Sequence, residues 1–220
     1  AITPTAANMY SADCVKAMRD AGMLETIGGT RHHRPGRLML ALSAAFKNSS
    51  GLIGRAGEVV SEVVRMSGHT GYVSKRAGRE VTAVADFPGT NTLRVVSNAG
   101  RRLPAHKSAT GRSLLARLTD AEVRAIYADL PELDELLQQL AIIRAQGYGT
   151  SSQDTTPGVD AIAIAVRDPA SDEAVSLCIV YPHAVVEKGE RDRMLSALAT
   201  GASTIAAEIG DRAFVAPRIS

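Results

Sequence analysis

Residues 159–168 read VDAIAIAVRD, and their pattern decides the fold. Ala161, Ala163 and Ala165 alternate with Ile162, Ile164 and Val166. Successive side chains of a strand point to opposite faces, so this strand has one bulky face and one small face. The bulky face suits a core. The small face leaves volume above it, which either a closely packed helix or a ligand would fill. The next apolar run, EAVSLCIVYP at 173–182, repeats the asymmetry. Ser176, Cys178 and Val180 lie on its smaller face; Val175, Leu177, Ile179 and Tyr181 lie on the other. A short link around Ser171-Asp172 joins the two strands.

Working outward, GYVSKRAGREVTAVADFPG (71–89) reads as strand, Ala77-Gly78 turn and strand, and TNTLRVVSNAG (90–100) as a third strand. Helices are expected over 56–68, closed by Gly68, and over 108–118. A further helix opens on a capping box of Thr119 and Glu122. Another has Pro131 in its first turn and Gly147 past its end, and a last one spans 190–210. Strands adjacent in sequence, interspersed with helices, favour an α+β domain built on an antiparallel sheet over a doubly wound parallel one.

Upstream the character differs. Residues 11–21 pattern as a helix with Ser11 as N-cap, ended by Gly22. Met23–Ile27, a Gly28-Gly29 turn and the basic stretch Thr30–Arg34 read as a hairpin. Helix plus basic hairpin suggest the second half of a winged helix. An apolar helix over 36–47 follows, broken at 48–51.

The chain has 220 residues, 45% apolar and 22% charged, the range of a soluble globular protein. No apolar run reaches the roughly 18–20 residues needed to cross a bilayer. The first ten residues lack the basic start and apolar core of a secretory signal. The two cysteines, Cys14 and Cys178, are far apart, which fits a reducing cytoplasm. A net charge of +2 does not by itself imply nucleic acid, and without Trp a base-stacking platform is not expected.

Residues 103–116, LPAHKSATGRSLLA, hold the chemistry most open to interpretation. Free amides at a helix start, hydroxyls of Ser108 and Thr110, and Gly111 would suit an anion. Ordinary capping by Ser108 explains the same residues. None of the five histidines has metal-ligand spacing, and no metal or cofactor is expected. No nucleophile elbow, phosphate loop or dinucleotide fingerprint is present, and Ser113 and Ser176 have no evident base partner. No catalytic residue is assigned and an enzyme is not expected.

Residues 101–123, RRLPAHKSATGRSLLARLTDAEV, followed by IRAQGYGTSSQDTTPGVDAIAIAVRD (143–168) and VSLCIVYP (175–182), resemble the IclR family of bacterial transcription regulators. Order and spacing agree through residues 51–215. More weakly, DAGMLE resembles the end of the family's recognition helix and GRLMLALSAAF its linker helix. The resemblance implies the C-terminal part of a winged helix-turn-helix over 1–34, a linker helix over 35–50, and a GAF-like effector-binding domain over 51–220. It implies a homodimer, possibly a homotetramer, on operator DNA and control by a small organic acid, with no membrane partner. It places effector contacts at Ala109, Thr110, Ser151, Ala161, Cys178 and Val180, with the amides up to Gly111 holding the carboxylate. DNA contacts would come from Ser11 and from the wing, Arg31, His32, His33 and Arg34.

Two departures matter. Relatives that bind very small oxo-acids place hydroxyls on the last strand, where Cys178 and Val180 stand here, so a partly apolar acid is expected. Asp13 would repel phosphate, and the first helices of a helix-turn-helix are expected upstream of Ala1. The chain alone is therefore expected to bind DNA weakly. The alternative is a small-molecule sensor or interaction module without productive DNA binding.

Overall fold

The computed structural model describes residues 8–42, 51–96, 100 and 102–219. The chain divides into two compact units, Ala1–Gly51 and Leu52–Ser220.

In the first unit, helix α1 spans Asn8–Asp20. It starts three residues before Ser11, which therefore lies inside the helix and not at its N-cap. Gly22, at φ 74°, ends it, its N–H donating to the Arg19 carbonyl. The hairpin follows, with β1 (Leu24–Thr26) antiparallel to β2 (His33–Pro35). Thr30 closes its loop: its hydroxyl donates to the Ile27 carbonyl and accepts from the His32 amide. Residues 37–42 are helical; the rest of the expected linker helix lies outside the described residues.

The second unit is an α+β fold around a six-stranded antiparallel sheet of order β5-β4-β3-β8-β7-β6. The strands are β3 (Thr70–Ala77), β4 (Glu80–Phe87), β5 (Arg102–Pro104), β6 (Gly149–Ser152), β7 (Val159–Arg167) and β8 (Ala174–Pro182). Helix α2 (Gly51–Ser67) and helix α6 (Lys188–Ile209) cover the bulky face. Ile162, Ile164, Leu177 and Ile179, all fully buried, pack there against Val60, Val63, Leu195 and Leu198. Each such side chain contributes about 1.5–3 kcal/mol by burial. Helices α3 (Ala109–Leu115), α4 (Asp120–Ile126) and α5 (Leu133–Gln146) build a second cluster around Leu115, Tyr127 and Leu140 on the other side of the sheet.

Local signals hold in several places. Thr119 and Glu122 form the expected capping box. Gly147 ends α5 in the left-handed region. Other expectations fail for identifiable reasons. The strand expected over 90–100 does not form over 90–96. Pro88 cannot donate to a ladder, and the Thr90 and Asn91 amides donate instead to the Gly68 carbonyl. The edge strand is Arg102–Pro104, paired with β4. Helix α2 begins five residues early, at Gly51. The first hairpin of the sheet turns at Gly78-Arg79, one residue later than expected. Pro131 precedes α5, which opens at Leu133 after Glu132.

Candidate ligand-binding site

The small face of the sheet is shared along its length between a helix and a cavity. Pairing aligns Ser74, Ser176 and Ala165 in one row across β3, β8 and β7. The next row holds Tyr72, Cys178, Ala163 and Gly149, and the next Val180, Ala161 and Ser151. Helix α3 covers the first end of this grid. Ser113 donates to the Thr110 carbonyl at 2.8 Å, which leaves Ser176 to donate to Ser113 at 2.9 Å. The two serines are therefore bonded to each other, and no base pairs with either among the described residues. Gly149 lets the helix approach: a Cβ there would stand 2.9 Å from the Ala109 carbonyl oxygen.

Beyond the start of α3 the grid is open. A cavity of about 160 Å³ is floored by Ala161, Cys178 and Val180 and bounded by Ser108, Ala109 and Thr110. An engineered apolar protein cavity of roughly this size accepts a benzene ring. Ser151 at the end of β6 and Thr155 and Thr156 in the following loop form one wall. Tyr72, Ser74, Val81, Ala83 and Leu103 of β3–β5, with Val95 and Val96, form the opposite lobe. No charged side chain lines it among the described residues.

Six of the seven expected ligand contacts thus line one cavity: Ala109, Thr110, Ser151, Ala161, Cys178 and Val180. Gly111 does not. Its amide donates to the Ser108 side-chain oxygen at 3.0 Å, so it is not free for a carboxylate. Its Cα face is pressed on Ala105, whose backbone atoms would lie 2.2–2.6 Å from an added Cβ. Capping and cavity therefore coexist: Ser108 caps α3, while Ala109 and Thr110, whose amides precede the first intrahelical bond, border the cavity. The β3–β4 lobe was not foreseen. The alternation of Tyr72 and Ser74 was readable, but nothing local shows that β3 pairs with β8.

Burial pushes the Cys178 thiol up to about 11, partly opposed by its contact with the Thr110 hydroxyl. It is a neutral, weakly polar floor residue. Burial, then Lys107, lowers the His106 pKa. Its ring packs edge-on to Tyr127, and its Nδ1 is buried without a partner among the described residues. It packs against Tyr127 and does not line the cavity. Arg112 braces the wall opposite the lobe, donating to the Thr150 carbonyl at 2.6 Å and to Asp154 at 2.7 Å. Among the described residues, no group of His, Cys, Asp or Glu could hold a metal ion, and no helix is long and apolar enough to cross a membrane.

In the first unit, Arg31, His32, His33 and Arg34 are exposed on the hairpin, and Arg34 pairs with Glu25 of the neighbouring strand at 3.0 Å. The charge offered by this loop is thus lower than its sequence suggests.

Residues 44–207 match the family described as bacterial transcriptional regulator IclR, C-terminal. The chain belongs to the IclR family. It is 27% identical over 151 residues to the HTH-type transcriptional repressor AllR of Salmonella paratyphi A, an alignment covering 64% of the chain and 56% of AllR. The chain thus spans little more than half of that relative. An IclR regulator structure from Alicyclobacillus acidocaldarius superposes with a TM-score of 0.78 at 20% identity, covering 89% of this chain and 83% of that one. The C-terminal domain of Escherichia coli KdgR superposes with a TM-score of 0.61 at 24% identity, covering 72% of this chain and 98% of that domain. These likenesses establish an IclR fold.

Proposed function

We propose that this IclR chain is the sensing part of a ligand-responsive, DNA-binding transcription regulator, and that it is not an enzyme. The effector is a small, partly apolar carboxylic acid, of the size of one six-membered ring. The observation that supports this reading is the lining of the cavity: hydroxyls of Thr110 and Ser151 at one side, a floor of Ala161, Cys178 and Val180, and no charged side chain among the described residues. A carboxylate buried without partners is costly, so its oxygens would sit against Thr110, Ser151 and the backbone beside them. Operator DNA would be bound through a complete winged helix, with the exposed wing residues Arg31, His32 and His33 on phosphates and the Ser11 region of α1 beside the groove. A homodimer or homotetramer in the bacterial cytoplasm would present two or more such heads. Effector binding would act by a coupling between the two sites, shifting the spacing of the heads.

Thermal denaturation with a panel of acids tests the effector. Benzoate or cyclohexanecarboxylate at a hundredfold above its Kd should add about 2.7 kcal/mol. For a chain of this size that raises Tm by roughly 5–10 °C. Stabilisation by pyruvate and glyoxylate alone would overturn the reading.

A further inference from the structure

The lobe between β3, β4 and β5 is largely apolar, with Tyr72 and Ser74 its polar side chains. Val81, Ala83, Leu103, Val95 and Val96 surround it, and Ser74 enters it from β3. Ser74 is only 5% exposed and lines the cavity. A site built to pair a polar group of its ligand discriminates strongly against ligands that lack that group. A register shift between Val73 and Ser74 in the β3–β4 pairing sets this residue beside Ala83 on the cavity face.

We propose that Ser74 is a specificity-determining residue that reads a second polar group on the effector, a hydroxyl or oxo group carried on the part of the molecule away from its carboxylate. The inference rests on the acid-binding reading above. The effector then has two polar ends: the carboxylate at Thr110, whose hydroxyl touches Cys178, and the second group at Ser74, one strand and two residues from Cys178, roughly 8 Å and within the span of one six-membered ring. Ser74 can donate to an oxo group or both donate to and accept from a hydroxyl, so it accepts either class.

Calorimetry on the full chain tests this with matched pairs: benzoate against 3- and 4-hydroxybenzoate, and cyclohexanecarboxylate against 4-oxocyclohexanecarboxylate. At least one oxygenated acid should bind ten or more times tighter than its parent. In Ser74→Ala that gap should close, through weaker binding of the oxygenated acid relative to its parent. Equal binding of parent and oxygenated acids to the native chain, as expected if water alone satisfies Ser74, would overturn the proposal and leave the acid-binding reading standing. So would a gap that survives in Ser74→Ala. Failure of every acid to bind would remove both.

Discussion

Cys178 lies on the cavity floor with its thiol against Thr110, fully buried, and burial holds that thiol near 11. Its proton is retained through the whole physiological range. The folded pKa is raised, so the resulting stability is fully present below the unfolded thiol value near 8.5 and is lost as pH climbs through 11. Alkylation with iodoacetamide at pH 8 should modify exposed Cys14 and leave Cys178 intact in the native chain, with both labelled in denaturant. Rapid native labelling of Cys178 would contradict this environment. At the residue scale the sequence was informative wherever side-chain size alone mattered. The alternation of alanines with isoleucines identified the floor, since a strand has only two faces. Gly111 was misassigned because a glycine in a sequence does not disclose what lies against it. Here that is the Ala105 backbone, and the same closeness leaves its amide to Ser108.

Helix α3 has only seven residues, too few to persist alone in water. It exists because Ser108 caps it, Leu114 and Leu115 are buried beneath it, and Gly111 lets it settle on Ala105. Gly111→Ala drives a Cβ into that backbone, which cannot yield as a side-chain end would. A loss of about 3 kcal/mol is expected. The corresponding drop in Tm is roughly 6–12 °C, read by calorimetric unfolding, with ligand binding lost because Ala109 and Thr110 shift with the helix. Unchanged stability would mean that the contact with Ala105 is not tight. At this scale, elements with strong end signals were legible: the capping box at Thr119 and the left-handed Gly147 operate within one turn. The segment after Pro88 was not legible. Its β-branched residues favour a strand, but its amides are drawn to the end of α2, a partner more than twenty residues away in sequence.

The second unit holds a complete core and a complete cavity, and the C-terminal domain of E. coli KdgR shows that the same fold can be isolated as a domain. Residues 48–220 alone should therefore unfold in one cooperative step and bind the effector within about twofold of the longer chain, by denaturant titration and calorimetry. An aggregated or non-cooperative product would show that the first unit is needed for folding. At this scale the fold class followed from the order of elements, because neighbouring strands joined by short links pair antiparallel. The order of strands in the sheet did not, since β3 meets β8 across about a hundred residues of chain and no local pattern encodes that pairing. One contact made over a similar span has its own consequence. Arg117, just past the end of α3, pairs with Asp211 and donates to the Ala213 carbonyl at 2.7 Å, while Arg112 fastens the helix to residues 150–154. Asp211 also accepts the Arg167 amide at the end of β7. A short helix that ought to fray on the nanosecond scale is thus pinned at its middle and just past its C-terminal end by segments that lie later in the sequence. The hydrogen-bonded amides of the helix, from Arg112 onward, are therefore expected to exchange with solvent only when the whole unit opens, while the Ala109 and Thr110 amides at the rim stay open to the cavity.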